Sequence, residues 1–106
     1  MVIRGEVWLA TLDPTQGSEI RQTRPCLIIS PPELHDHLRT VTVAPMTTGA
    51  RLTPFRVSVT FDGKQGLILL DQIRTIDKAR LVRRLGTVRK NALSAALTVL
   101  RELFEE

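Results

Sequence analysis

Residues Arg4 to Ser30, RGEVWLATLDPTQGSEIRQTRPCLIIS, set two short apolar runs around one long polar loop, and that order restricts the fold more than any other stretch. Glu6 to Leu12 alternates like a half-buried strand, with Val7 and Leu9 on one face and Trp8 and Ala10 on the other. Asp13-Pro14 ends it, because proline has no amide hydrogen to give to a ladder. Pro25 to Ile29 is a continuous apolar run that suits a central strand buried on both faces. Between the runs lie Asp13, Gln16, Ser18, Glu19, Arg21, Gln22, Thr23 and Arg24. Long loops in compact domains are usually functional. Two guanidiniums, a carboxylate and several hydroxyls or amides between fixed strand ends are the groups that hold a phosphodiester.

The remaining residues continue the pattern of short strands. Pro31-Pro32 stops the second run, and Pro32 to His37 suits a short helical turn with proline near its first position. Val41 to Met46 is a third strand, followed by a second polar loop, Thr47 to Pro54. Phe55 to Phe61 alternates, with Phe55, Val57, Val59 and Phe61 on one face, and Asp62-Gly63 is a turn signal. Gly66 to Ile73 reads as a fifth strand, Thr75 to Lys78 as a turn or a single helical turn, and Leu81 to Val88 as a short strand kinked at Gly86. A helix follows, with Asn91 as N-cap and Leu93, Leu97, Leu100 and Phe104 at helical spacing. A set of five to seven short, mostly antiparallel strands closed by a C-terminal helix predicts a mainly β, α+β domain over residues 1–106. Its sheet would be strongly curved or a small barrel, with the helix packed on it.

A length of 106 residues allows one modest core. No apolar run approaches the ~20 residues of a membrane span, and the start, MVIRGEVW, has no secretory h-region. A lone cysteine, Cys26, cannot pair internally, so a reducing cytoplasm is the expected setting. Cys26 lies in an apolar run and reads as a small core hydrophobe; Trp8 likewise reads as core rather than as a stacking platform. The formal charge is +4, and arginine supplies most of the basic residues, Lys64, Lys78 and Lys90 being the only lysines. Arginine grips planar oxyanions better than lysine does, which points to nucleic acid as the partner class. His35 and His37 flank Asp36, but that spacing is no recognised ligand set. They read as surface residues of a loop, and neither a metal nor a cofactor is expected.

The run RGEVWLATLDPTQGSEIRQTRPCLII, then VAPMTT (Val43 to Thr48), then LLDQIRTIDKARL (Leu69 to Leu81) resembles the MazF/PemK family of toxin-antitoxin endoribonucleases. The resemblance spans nearly the whole chain in order and is weakest at the C-terminal helix. It implies an SH3-like barrel of the CcdB type, a homodimer, and metal-independent, sequence-selective cleavage of single-stranded RNA. The products would be a 2′,3′-cyclic phosphate and a 5′-hydroxyl, and the partner an acidic antitoxin laid across the RNA groove.

The resemblance also marks residues: Arg24 in the TRP element, Thr47 in the Pro-x-Thr element, Glu19 in GSE, and the pair Asp71 and Gln72. Some relatives carry a histidine after the loop glycine and an arginine two residues before Asp-Gln, where this chain has Ser18 and Leu69. RNA supplies its own nucleophile, the 2′-hydroxyl. Arg24 suits stabilisation of the charge that develops on the phosphorane-like transition state, and Thr47 suits hydrogen bonding to the phosphate or a proton relay. Glu19 and Asp71 are both candidate bases, and the sequence does not choose between them. Gln16, Ser18, Arg21, Thr48, Arg51, Arg56 and Gln72 are expected to bind RNA. The rival readings are a gyrase-binding toxin of the CcdB type and a barrel that binds RNA without cutting it. CcdB-type chains end on Trp-Gly-Ile, whereas this one ends Leu103-Phe104-Glu105-Glu106.

Overall fold

A computed structural model of the protein describes residues 1–12 and 22–106. In chain order the elements are β1 (Glu6–Leu12), β2 (Gln22–Ile28), α1 (Pro32–His35), β3 (Thr40–Thr47), β4 (Arg56–Phe61), β5 (Lys64–Leu69), β6 (Arg74–Asp77), β7 (Leu81–Thr87) and α2 (Lys90–Leu103). Short 3-10 turns fill Leu70–Gln72 and Lys78–Arg80. Every pairing is antiparallel, in the order β4-β5-β3-β2-β1-β7, and β6 joins the N-terminal half of β3. The expected mainly β architecture with a terminal helix is present. Its ladder does not close into a barrel: β4 and β7 are the two edges, and no pairing joins them among the described residues. The edges meet through side chains instead. The Phe61 ring of β4 lies so close to Gly86 of β7 that a Cβ there would stand 3.1 Å from Cζ.

The Pro25–Ile29 run does lie at the centre of the sheet, with Cys26, Leu27 and Ile28 fully buried. Alternation along β2 sends its side chains into two cores. Leu27 and Ile29 join Val7, Ala44, Met46, Ile68, Leu70 and Ala96, while Cys26 and Ile28 join Ala10, Val41, Val43 and Ile76. Trp8 packs half-buried on the second core and donates from Nε1 to Glu6 Oε1 at 3.1 Å.

Four local expectations are corrected. The fifth strand ends at Leu69, not Ile73. Both faces of Leu67–Leu70 are buried, so continuing the strand would have carried Asp71 into the core beside Leu69. The 3-10 turn buries Leu70 and releases Asp71 to solvent. Thr75–Asp77 is neither a turn nor helical, because Arg74–Asp77 is a strand laid on the edge of β3 that β5 leaves open, with Val41 opposite Ile76, and the helical turn begins only at Lys78. The last helix starts at Lys90 behind Arg89, with no side-chain cap. Its packed face is Ala92, Leu93, Ala96, Val99 and Leu100. The small Ala92 and Ala96 let the helix approach the sheet, and Phe104 is left 71% exposed at the C-cap. His35 is not on the surface but fully buried. The Val2 carbonyl can only accept, so Nε2 donates to it (2.7 Å), and Nδ1 pairs with Ser30 Oγ at 2.9 Å. That histidine ties the N-terminus to the end of β2.

Candidate active site

The β2–β3 ladder runs Ile28–Val43, Leu27–Ala44, Cys26–Pro45 and stops. The next rung falls on Pro25, which has no amide hydrogen to donate to β3. β3 then swings to β5, pairing Met46 with Ile68 and Thr47 with Leu67. β2 keeps its register with β1 as far as Leu12–Gln22, with Ala10 opposite Arg24. The two strands therefore part, and a groove of about 480 Å³ opens between them. Continued by two residues, the lost register would set Arg24 opposite Thr47. Both residues line the groove, so the two positions singled out in the TRP and Pro-x-Thr elements come together.

Gly66 makes the opposite wall possible. A Cβ at that residue would meet the Thr47 carbonyl oxygen at 2.8 Å, so only glycine lets β5 pack this closely on Thr47. The Thr47 hydroxyl accepts from the Gly49 amide at 3.3 Å. A hydroxyl that accepts still has its hydrogen to give, which suits Thr47 to donate to a phosphate oxygen. Thr48 lines the groove as well.

Beneath Arg24, the Cys26 thiol is inert. Burial pushes it up to about 12, against the pull of Arg24 and Arg74, and its Sγ donates to the Arg24 carbonyl at 3.6 Å. This agrees with its reading as a small core residue.

Other expected residues lie elsewhere. Asp71 does not line the groove. Its two oxygens accept from Arg56, Nε to Oδ1 at 3.0 Å and Nη2 to Oδ2 at 3.1 Å. The Arg56 guanidinium holds the Asp71 carboxyl below the usual carboxylate range. Arg56 also donates from Nη1 to the Arg51 carbonyl at 2.9 Å, so the pair braces the second polar loop. Arg51 and Gln72 are exposed outside the groove lining. Gln16, Ser18, Glu19 and Arg21 lie outside the described residues. Among the described residues no three His, Cys, Asp or Glu side chains are placed to hold a metal ion.

Sequence reasoning missed the far half of the groove, which Lys64, Arg83, Asp62, Phe61 and Leu85 line. Lys64 and Asp62 flank Gly63 at the β4–β5 turn, where Asp62 has φ 53° and Gly63 φ 78°. Arg83 comes from a strand distant in sequence. No local motif signals that these residues meet; only the curl of the sheet edges joins them.

A family model described as the PemK-like, MazF-like toxin of type II toxin-antitoxin systems matches residues 3–104. The chain is 42% identical over 100 residues to endoribonuclease PemK of Escherichia coli, covering 89% of this chain and 75% of that protein. It is 40% identical over 91 residues to endoribonuclease MazF of Staphylococcus epidermidis, covering 80% and 76%. A mycobacterial endoribonuclease solved in complex with its cognate antitoxin superposes with a TM-score of 0.79 at 25% identity, over 96% of this chain and 93% of that one. MazF of Deinococcus radiodurans shares the fold, with a TM-score of 0.83 at 24% identity over 99% and 97% of the two chains. By the family match and by both relatives, the chain belongs to the PemK/MazF family of toxins of type II toxin-antitoxin systems.

Proposed function

We propose that the protein is the toxin of such a pair and an endoribonuclease that cleaves single-stranded RNA without a metal ion, stopping translation and growth. The observation that carries this reading is the meeting of Arg24 and Thr47 in one groove with further cations. The 2′-hydroxyl attacks the adjacent phosphorus, the bond to the 5′-oxygen breaks, and a 2′,3′-cyclic phosphate and a 5′-hydroxyl result. Arg24 faces the non-bridging oxygens, where negative charge grows in the transition state, and a fixed guanidinium acts most strongly there. A guanidinium holds its proton too firmly to serve as a base, so the role of Arg24 is electrostatic, with proton donation open to it. Thr47 donates its remaining hydrogen to the same phosphate. Against Asp71 as the base stand its place outside the groove lining and the Arg56 guanidinium that holds its carboxyl below the usual range.

Two partners follow from the same reading. An acidic antitoxin would occupy the basic groove and exclude RNA, in keeping with the mycobacterial relative solved with its antitoxin. A homodimer in the cytoplasm is the assembly expected for the family; among the described residues no helix is long and apolar enough to cross a membrane.

Purified protein incubated with total RNA in EDTA tests the reading. Fragments bearing 5′-hydroxyl ends support it. Intact RNA with inhibited gyrase would favour the gyrase-binding reading, and a shifted but uncut RNA a binding barrel.

A further inference from the structure

Past Thr47 the groove reaches the seam where the edge strands β4 and β7 meet, and two cations face it there, Lys64 and Arg83. Neighbouring arginines are committed elsewhere. Arg84 donates to Glu6 Oε2 at 2.7 Å and to Thr87 Oγ1 at 2.9 Å, and Arg56 is held by Asp71. Lys64 and Arg83 are exposed and make no side-chain hydrogen bond or ion pair among the described residues. The floor between them is apolar, formed by Val59, Phe61, Leu67 and Leu85. The half-buried Phe61 ring is its one aromatic face.

We infer that this end of the groove is a nucleotide subsite beside the scissile phosphate, in which Lys64 and Arg83 take the neighbouring phosphate and the base lies on Phe61. The inference rests on the ribonuclease reading above. Single-stranded nucleic acids are held by a cationic rail that follows the backbone and by aromatic faces on which bases stack. Cations serving solubility alone have no reason to converge from β5 and β7 onto one apolar floor. Asp62, the carboxylate on this part of the lining, repels a phosphate but accepts from an exocyclic amino group, so it belongs on the base side of the subsite.

The test uses the full chain, an RNA oligonucleotide with one mapped cut site, and the same oligonucleotide with a 2′-deoxy residue at the cut so that it binds without reacting. Lys64→Gln combined with Arg83→Gln should raise KM, and Kd for the uncleavable analogue, about tenfold, with kcat within about twofold of wild type. The slope of log K against log salt should shrink by about 0.7, the value of one phosphate on a single strand. Phe61→Leu should weaken binding of the analogue without changing that slope. Lys90→Gln, outside the groove, controls for the loss of positive charge. A double variant with the KM, Kd and salt slope of Lys90→Gln would overturn the subsite while the ribonuclease reading stands. Wild-type protein that bound the RNA and left it intact in EDTA would overturn the ribonuclease reading, and the subsite with it.

Discussion

Arg24 and Thr47 each stand two residues past Cys26–Pro45, the last pair of the β2–β3 ladder, and both line the groove that opens there. The opening follows from chemistry in the sequence. Pro25 has no amide hydrogen for the next rung, and β3 leaves β2 for β5 one residue past Pro45. Strand ends on a rigid, buried sheet hold these two side chains better than a loop would.

Arg24→Ala is expected to lower the single-turnover cleavage rate by about 10²–10³, the usual loss when one charge-stabilising donor is removed. Circular dichroism and the melting temperature should stay near wild type, because Arg24 is only half-buried. Arg24→Lys should recover little, since a point charge cannot replace a planar fork. Wild-type cleavage by the alanine variant would remove Arg24 from the chemistry.

Gly66→Ala probes Thr47 from behind. Its methyl group would stand 2.8 Å from the Thr47 carbonyl oxygen, so one strand must shift. Cleavage should fall at least tenfold and the melting temperature by several degrees, in line with overpacking that costs about 1–3 kcal/mol. Unchanged cleavage would show that the exact placement of Thr47 does not matter.

Much of the fold was legible because it is written locally. β1 and the Asp62-Gly63 turn fall where alternation and turn chemistry put them. The misses are matters of tertiary context. β6 is four residues long and exists because β3 offers it an edge, which no pattern within Arg74–Asp77 announces. His35 looked like a loop residue because its partners, Val2 and Ser30, are brought to it by the fold. Short motifs singled out Arg24 and Thr47, and both line the groove. Lys64 and Arg83 were not singled out, since they meet only across the seam of the curved sheet.

Glu6 makes stability depend on pH. Burial pushes its carboxyl up, but donors from Trp8 Nε1, the Ile3 amide and Arg84 outweigh that and hold it below the ordinary value. A folded pKa below the unfolded one gives stability that is complete above the unfolded value and is lost as pH falls through the folded value. Melting temperature should therefore drop below about pH 4. Glu6→Gln should cost about 1–3 kcal/mol at neutral pH and flatten the acid dependence. Fluorescence of Trp8, the only tryptophan, follows the transition. A variant as stable as wild type at pH 7 would refute the role of the carboxylate.

Cys26 should resist iodoacetamide in the native protein at pH 8 and react only on unfolding. Its thiol is fully buried and pushed up to about 12, so almost no thiolate is present to attack. Rapid alkylation of the native protein, read by mass spectrometry, would contradict that placement.

Asp71 separates a catalytic from a bracing role. As the base it would have to reach the 2′-hydroxyl from outside the groove lining, while Arg56, which also holds the Arg51 carbonyl, anchors both of its oxygens. Arg56 keeps the Asp71 carboxyl below its usual range, which weakens it as a proton acceptor near neutrality. Asp71→Asn retains one oxygen for Arg56 but loses the charge. The bracing role predicts a loss of less than about tenfold in cleavage, an acid limb of the pH–rate profile at its wild-type position, and faster proteolysis within Thr48–Phe55. Arg56→Lys should reproduce the loosened loop, because an ammonium cannot span two carboxylate oxygens and a carbonyl in one plane. A loss above about 10³ in Asp71→Asn together with disappearance of the acid limb would return Asp71 to the chemistry, and the ion pair would then have to open before RNA is cut.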